Sequence, residues 1–362
     1  MNNPQLYGKW RKWLMQLIPD RCETRLTNLL LLMLGLYQSK SVHLNLIAGK
    51  LPIRTKKLSI VKRLSRFLQN SAVDVVNWYA PWANWLIQSA SSDGKLHLIV
   101  DTTKVTSSHR LLCVAVAYHR RALPIIWDWV GHRKGHCTVA TQLTVWERLN
   151  DMIPDGIQVT LVGDGEFGNV LVLELLDHWG WDYVLRQSKN TKVILDRMNY
   201  ECRIDELQIS RGQTRIYHNV QLTRACYCTT LVVIWRSTEC EPIYLATNQP
   251  SILATWRLYK QRMWIEEMFG DMKRHGFDLE NSRLRHPDRL NRLMLVVSLV
   301  YIWLISVGEH VIKHNLTSEI DRNERRDLSI FRLGWDFLER RLALNDPIPE
   351  CFRPNFCLVS GS

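Results

Sequence analysis

Four polar side chains between residues 259 and 273 recur at helical spacing. Tyr259, Arg262, Glu266 and Lys273 are three, four and seven residues apart, and on one continuous helix these intervals place them on the same face. An acid flanked by two cations and a phenol is unusual for a solvated face, where opposite charges normally alternate. Such a face suits a site that holds a metal ion and phosphate groups. An exposed i,i+4 pair between Arg262 and Glu266 is the simpler interpretation.

Two aspartates upstream follow predicted strands. Asp101 comes directly after the apolar run LHLIV, and Asp164 follows QVTLVG and opens a glycine-flanked turn. The runs at residues 111–118 and 123–130 predict two more strands, and the pattern at residues 138–152 predicts a helix. The predicted order is therefore three strands, a helix and a fourth strand, with a carboxylate at the tip of the first strand and just after the fourth. An aspartate at a strand end is also a common turn former or helix cap.

The spacing Tyr, two residues, Arg, three residues, Glu, six residues, Lys resembles the signature of the DDE transposases of bacterial insertion sequences. The resemblance implies an α/β fold, with a ribonuclease-H-like mixed sheet flanked by helices. In that fold the first and fourth strands are neighbours, so Asp101 and Asp164 would meet, and Glu266 would be the third acid. These enzymes cut DNA at transposon ends and transfer the freed 3′-hydroxyl to target DNA.

The details of the motif mostly agree with the family. Asp164-Gly-Glu-Phe167 is similar to the family's pattern of acid, two variable residues and Phe, and Glu166 competes with Asp164 for the acidic position. Family members often carry Trp directly after the Arg of the signature. Here that position is Met263, and the Trp is Trp264. The departure affects helix packing but removes no charged residue.

Three carboxylates suit the chemistry of phosphodiester cleavage. In-line attack is assisted by two divalent ions that activate the nucleophile and stabilise the leaving oxygen, and hard oxygen ligands select Mg²⁺ or Mn²⁺. By resemblance to the family, Asp101 would bridge two ions, and Asp164 and Glu266 would each hold one. Arg262 and Lys273 would then grip phosphates, and Tyr259 would donate a hydrogen bond to a phosphate near the cleaved end.

A β-rich insertion is predicted at about residues 188–250, between the fifth strand and the signature. Its runs at 214–217, 229–235 and 242–247 are rich in β-branched and aromatic residues. By resemblance, an aromatic side chain of this insertion would stack on a flipped base, and Trp235 is the candidate. A lone tryptophan in a chain with fifteen of them is more often a core residue.

Arg186 and Lys189 stand at the end of the predicted fifth strand. This end is on the side of the sheet that carries the carboxylates. Both residues are therefore predicted DNA contacts.

The net charge of +12 indicates a polyanionic partner. Residues 50–66 carry a cluster of cations without an acid among them, above an apolar helical stripe. The cations are Lys50, Arg54, Lys56, Lys57, Lys62, Arg63 and Arg66. A basic helix of this kind would bind DNA phosphates and confer affinity more than sequence choice, although a basic solvated helix is the alternative.

Three segments are predicted. Residues 1–92 would form an all-α domain that binds transposon ends, residues 93–310 the catalytic core with its insertion, and residues 311–362 a helical tail. The apolar run at 293–307 is too short for a membrane span and is predicted to be a helix buried against the sheet. The amphipathic segment at 329–342 either packs on the core or pairs two protomers.

Nine cysteines without paired spacing, and no recognisable signal peptide, indicate a reducing cytoplasm. His132, His136 and Cys137 have metal-type spacing, but Gly131 and Gly135 make a loop the better interpretation.

The sequence therefore predicts a bacterial cytoplasmic, nucleoid-associated transposase. Its expected partners are the terminal inverted repeats and target DNA, and it would act as a homodimer in the synaptic complex without a membrane. The alternatives are a nuclease that cannot transfer strands and a non-catalytic DNA-binding remnant or repressor.

Overall fold

The computed structural model describes residues 4–18, 22–131, 137–195, 200–223, 225–322 and 325–356. The chain forms two compact units. The helical unit comprises the described residues of Met1–Trp85, Lys104–Arg110 and Met268–Ser362, and the sheet unit comprises those of Leu86–Thr103 and Leu111–Glu267. The amino-terminal helices therefore share a unit with the carboxy-terminal helices.

The α-helices are α1 (Pro4–Leu17), α2 (Glu23–Ser39), α3 (Leu44–Lys50), α4 (Lys57–Gln69), α5 (Val75–Ala90), α6 (Val139–Asn150), α7 (Val170–His178), α8 (Ile252–Lys260), α9 (Met263–Met272), α10 (Pro287–Lys313) and α11 (Ile330–Leu344). The strands are β1 (Lys95–Lys104), β2 (His109–Tyr118), β3 (Arg121–Gly131), β4 (Gln158–Gly163), β5 (Asp182–Arg186), β6 (Lys192–Leu195), β7 (Tyr200–Arg203), β8 (Thr214–Leu222), β9 (Tyr227–Ile234) and β10 (Ile243–Thr247).

One mixed sheet organises the strands in the order β3-β2-β1-β4-β5-β10-β9-β8-β6-β7. Strands β1, β4 and β5 are parallel neighbours, whereas β10 pairs antiparallel with β5. The inner parallel strands are apolar and buried on both faces, which is the pattern of a sheet covered by helices. The predicted mixed α/β fold, with the first and fourth strands adjacent, is confirmed.

A glycine permits the tight packing of the three parallel strands. A Cβ atom at Gly163, the last residue of β4, would lie 2.8 Å from Val100 Cγ1 and 3.0 Å from Leu185 Cδ2. These distances are shorter than side-chain contacts allow, so any larger residue would push β1 or β5 away. The residue after Gly163 is the predicted catalytic Asp164, and its position depends on this close approach.

The predicted insertion extends the same sheet. Strand β10 lies between β5 and β9, and β8, β6 and β7 continue outward from it in antiparallel pairs. The β-branched runs at 214–217, 229–235 and 242–247 fall on β8, β9 and β10, as predicted. Hydrogen bonds along β10 connect the inserted strands to the parallel core.

Helix α10 is the core of the helical unit. It is long and apolar enough to cross a membrane by length and composition, yet 83% of its most apolar window is buried inside the protein. Its main neighbours are the helices α2, α4 and α11. The predicted burial of this helix is therefore confirmed, but the prediction that it packs against the sheet was wrong. Arg292 is buried at the amino-terminal part of α10 and donates to the carbonyl oxygens of Leu68 and Val73.

Helix α11 packs closely on α10. The prediction that the amphipathic segment at 329–342 packs within the chain is therefore confirmed. Cβ atoms at Gly334 and Gly308 would collide with the backbone oxygens of Leu304 and Ile330, respectively. The two glycines therefore allow the helix backbones to approach closely. The amphipathic stripe of α11 serves the fold of a single chain.

Candidate active site

Neighbouring parallel strands bring Asp101 and Asp164 to the same edge of the sheet. Val100 of β1 pairs with Gly163 of β4, so the two aspartates follow the last paired residues of both strands. Strand β1 itself continues to Lys104. The prediction that Asp101 ends the strand was therefore wrong, although the β1–β4 pairing does end there. Asp101 is only 8% exposed, and its Oδ1 accepts a 2.7 Å hydrogen bond from the Thr102 backbone N–H.

The signature residues lie on two helices instead of one. Helix α8 ends at Lys260 and α9 begins at Met263, and Arg262 lies in the turn between them. Its N–H bonds the carbonyl oxygen of Tyr259, an i→i+3 contact that tightens the chain. Every residue here is compatible with a helix, so the sequence did not indicate this break.

Arg262 connects two of the predicted catalytic acids. Its Nη1 lies 3.4 Å from Asp101 Oδ2, and its Nη2 lies 2.6 Å from Glu266 Oε1. The i,i+4 pair between Arg262 and Glu266 therefore exists, but it is part of a three-membered cluster. Two separate guanidinium nitrogens are used, so a lysine, with its single nitrogen, could not reproduce this planar two-point geometry.

The electrostatics of the site are set by buried negative charge. Burial, followed by the neighbouring Asp164 carboxylate, raises the pKa of Asp101 to about 7, and Glu266 adds to the rise. Arg262 and the hydrogen bond from Thr102 act in the opposite direction without cancelling it. The metal-free site is thus short of positive charge, even with Arg262 present.

Tyr259 and Arg186 complete the charged surroundings. Burial raises the pKa of Tyr259, against the opposite effect of Arg262 and Arg186, while Asp164 contributes to the rise. The phenol is therefore a protonated hydrogen-bond donor at neutral pH. Its ring packs among buried core residues that include Val162 and Leu245, which hold it rigidly.

Thr102 and Glu166 connect the strands of the site, a role that the sequence did not predict for either residue. Thr102 Oγ1 donates a 2.8 Å hydrogen bond to Glu166 Oε2, and the backbone N–H of Cys137 donates to Glu166 Oε1. Glu166 in turn donates its backbone N–H to Asp164 Oδ1 at 2.9 Å. Because Glu166 is engaged in these contacts, Asp164 is the better candidate for a metal ligand. The Asp-Gly-Glu turn was the only sequence signal of this arrangement.

The loop after β4 is also attached to the end of β5. The buried Gln187 side chain donates from Nε2 to the carbonyl oxygen of Gly168 at 3.1 Å. A Cβ atom at Gly168 would lie 2.4 Å from that nitrogen and 2.5 Å from the carbonyl oxygen of Arg186. Asp164, Glu166 and Arg186 are thereby held in one rigid frame.

The edge of the sheet thus carries a buried Asp101 and a half-buried Asp164 from neighbouring strands, with an acid and an arginine supplied by the α8–α9 segment. A family model described as a transposase DDE domain matches residues 93–303. The chain belongs to this family. The transposase is therefore an enzyme that cleaves and transfers DNA strands, and domains of this family generally use divalent metal ions.

Solved structures show more distant similarity. The piggyBac transposase in a synaptic complex with hairpin DNA is 11% identical, with a TM-score of 0.47, and the match covers 95% of this chain and 80% of that chain. Human endonuclease V is 14% identical, with a TM-score of 0.27 and coverages of 64% and 90%. No curated protein sequence matches the chain significantly. The assignment to the family therefore depends on the sequence match.

The residue types of the transposase site fit a divalent cation. Asp101, Asp164 and Glu266 offer only hard carboxylate oxygens, and the raised pKa of Asp101 indicates a site that a cation would stabilise. Across the described ranges, no three His, Cys, Asp or Glu side chains already converge as a ligand set. Arg262 contacts one carboxylate oxygen of Asp101 and one of Glu266.

Three other predicted DNA contacts, Lys273, Lys189 and Trp235, each have a partner within the chain. Lys273 lies just beyond α9 in the helical unit, and its Nζ pairs with Glu280 at 2.8 Å. Lys189 is exposed and lies 3.4 Å from Glu241. Trp235 is half-buried directly after β9, and its indole Nε1 donates to the carbonyl oxygen of Glu239 at 3.2 Å.

The basic cluster of residues 50–66 lies on and before α4 in the helical unit. Its seven cations, which include Lys56, Lys57, Lys62, Arg63 and Arg66, are all exposed. Arg63 additionally donates to Asn28 Oδ1 at 2.6 Å. Ile60, Leu64, Phe67 and Leu68 are buried beneath the charges, so the helix is amphipathic as predicted. Of the suggested zinc cluster, His132 and His136 lie outside the described residues.

Proposed function

We propose that this transposase cuts DNA at the ends of its own mobile element and joins the freed 3′-hydroxyl to target DNA. The observation that supports the proposal is the cluster of Asp101 and Asp164 on adjacent parallel strands, with Glu266 linked to Asp101 through Arg262. These three residues supply the carboxylate oxygens that metal-assisted phosphodiester cleavage requires.

The proposed metal ligands are Asp101, Asp164 and Glu266, and the proposed ions are Mg²⁺ or Mn²⁺, two in each site. When bound, the ions would supply activation of the attacking oxygen and stabilisation of the leaving one. Ion binding would displace Arg262 from Asp101. The freed guanidinium, beside the protonated phenol of Tyr259 and beside Arg186, would then bind phosphate oxygens of the DNA end.

The remaining contacts are proposed from charge and position. Lys273 and Lys189 would bind phosphates after exchanging their carboxylate partners for DNA. The exposed cations of α4, namely Lys56, Lys57, Lys62, Arg63 and Arg66, would bind the terminal inverted repeats, within an end-binding segment at residues 1–92. Trp235 would stack on a flipped base, which requires its indole to leave the contact with Glu239.

The biological setting is proposed from the same reasoning. A DNA element with two ends favours a homodimer in the synaptic complex, and a chain of net charge +12 is attracted to nucleic acid. We place the transposase in the bacterial cytoplasm, associated with the nucleoid, and assign it no membrane partner.

The test is cleavage and joining of a labelled duplex that carries the ends of the element, with Mg²⁺ or Mn²⁺. The wild type is compared with Glu266→Gln and with Glu174→Gln, an exposed carboxylate on α7 that serves as the matched control. The proposal predicts metal-dependent nicking and a joined product in the wild type and the control. Both products should be lost in Glu266→Gln while DNA binding persists.

Two outcomes would contradict the proposal. Nicking without joining by the wild type would identify a nuclease of the same fold. Binding without cleavage under either metal would identify a DNA-binding remnant.

A further inference from the structure

A second face of the signature segment carries charge that the catalytic site does not use. Arg257, Lys260, Trp264 and Glu267 are three, four and three residues apart, so they follow one another at helical spacing beside Tyr259 and Glu266. All four line a single open groove in the sheet unit, with a volume of about 530 Å³. The remaining walls include Arg120 and Arg121 from the turn between β2 and β3.

The groove is strongly basic. Four cations face one carboxylate, and Arg121, which is 9% exposed, lies 3.4 Å from Glu267 Oε2. Arg120, Arg257 and Lys260 are exposed. Since Glu267 is the single acid among the described residues that line the groove, the surface keeps an excess of positive charge.

The backbone of the β2–β3 turn places one of these cations at a conformational cost. His119 and Arg120 have φ values of 41° and 62°. Asn-Gly is the favoured pair for two such positions in a tight hairpin. Residues with longer side chains are rarely found in the left-handed region, and such strain is concentrated at functional sites. The turn places Arg120 among the residues that line the groove.

The groove adjoins the catalytic centre. Gln261 and Met263, the two chain neighbours of Arg262, also line it. The groove therefore lies next to Arg262, which contacts two of the proposed catalytic carboxylates. Trp264, which also lines the groove, is half-buried.

We infer that this groove binds the sugar-phosphate backbone of a DNA duplex, independently of base sequence. The inference rests on the proposed function, because it assigns the groove to the DNA on which the carboxylates act. Arginine and lysine contacts to phosphates fix the position of a duplex and carry no base sequence information directly. Binding of this kind suits target DNA.

The test is a salt titration of duplex binding with a 40-base-pair duplex of arbitrary sequence, in the Glu266→Gln background so that no cleavage intervenes. Each phosphate contact contributes a slope of about 0.9 in log K against log salt, or about 8-fold in affinity at 0.1 M salt. The double variant Arg257→Ala/Lys260→Ala should therefore weaken binding by on the order of 60-fold and lower the slope by about 2.

The matched control is Arg211→Ala/Arg215→Ala, which removes two exposed cations from the same unit near and on β8. The control should change affinity several-fold less than the groove variant. Equal losses in both variants, or no loss in the groove variant, would overturn the inference. Tight binding of ATP that is abolished by the groove variant, with duplex binding unchanged, would overturn it as well.

The groove and the proposed reaction can fail separately. If the wild type never cleaves DNA but the groove variant shows the lower affinity and the smaller salt slope, the groove binds DNA and the proposed transposition reaction is wrong. If the wild type cleaves and joins DNA while the groove variant binds the duplex normally, the proposed reaction is supported and the inference about the groove is wrong. Circular dichroism melting of both double variants checks that these exposed substitutions leave the fold intact.

Discussion

Replacing Asp101 with asparagine should stabilise the metal-free protein while abolishing cleavage. The asparagine side chain would keep the acceptor for the Thr102 N–H and the size of the carboxylate, but it would remove the buried charge. Since burial and the Asp164 carboxylate already raise the pKa of Asp101 to about 7, the ionised side chain opposes folding. Active-site residues often reduce stability in this way.

The size of the effect follows from proton linkage. A folded-state pKa of about 7, against about 3.9 in the unfolded chain, means that the native state holds an extra proton between these values. The stability that this proton confers is present at low pH and is lost as the pH rises through about 7. Asparagine mimics the protonated form. The free energy of unfolding of Asp101→Asn should therefore exceed that of the wild type by about 1.5 kcal/mol at pH 5 and about 4 kcal/mol at pH 8.

The assay is urea unfolding in EDTA at pH 5 and pH 8, with the difference in unfolding free energy between variant and wild type as the readout. Titrating groups far from Asp101 are common to both proteins and cancel in that difference, whereas the coupling of Asp101 to Asp164 and Glu266 is part of the measured effect. Asp155→Asn removes an exposed carboxylate of the same unit and should give a difference near zero at both pH values. Adding Mg²⁺ at pH 8 should stabilise the wild type more than Asp101→Asn, because the variant lacks one proposed ligand.

A pH-independent difference would refute the reasoning, and so would a variant less stable than the wild type at pH 8. Either result would mean that Arg262 and the Thr102 hydrogen bond compensate the buried charge fully. The 3.4 Å separation between Arg262 Nη1 and Asp101 Oδ2 argues against full compensation, because it is long for a charge-assisted hydrogen bond.

Three further substitutions test the frame of the site. Arg262→Gln should lower the stability of the metal-free protein by about 1–3 kcal/mol, because two acids lose their positive partner. It should also increase the rise in melting temperature that Mg²⁺ produces. An unchanged rise would show that Arg262 does not compete with the metal. Gly168→Ala should cost about 1–3 kcal/mol in urea unfolding, because its Cβ would collide with Gln187 Nε2 and a backbone oxygen; wild-type stability would contradict the close contact. Thr102→Val should lower the free energy of unfolding by about 1–3 kcal/mol, because it removes the donor to Glu166 Oε2. It should also slow cleavage more than the control Thr144→Val, at an exposed position on α6. Equal cleavage rates would show that Thr102 has no positioning role.

Much of the catalytic centre was predictable because its signals are local. An apolar run followed by an aspartate predicted each of two buried strands, and the spacing of Tyr259, Arg262 and Glu266 predicted that they act together. The family resemblance then implied that the two strands are neighbours. The β1–β4 pairing confirms this part, whereas the roles of the individual residues remain predictions.

Other features depend on contacts between distant segments, which a single sequence does not encode in any local pattern. The inserted strands could have formed a separate sheet, but β10 joins them to β5. The apolar helix at 293–307 needed burial, and its pattern is compatible with a sheet or with helices as the partner. In the structure the partners are α2, α4 and α11, and glycines allow the backbones of α10 and α11 to approach closely.

The sequence by itself determined the types of the chemical groups, their order along the chain and the strands that carry the two aspartates, because burial and hydrogen bonding impose these patterns on neighbouring residues. Only the tertiary structure decided which charges meet. It paired Arg262 with two acids, engaged Glu166 with Thr102 and Cys137, and placed Arg120 and Lys260 in the lining of one groove. Electrostatic energy depends on distance through space, and separation along the chain does not specify that distance.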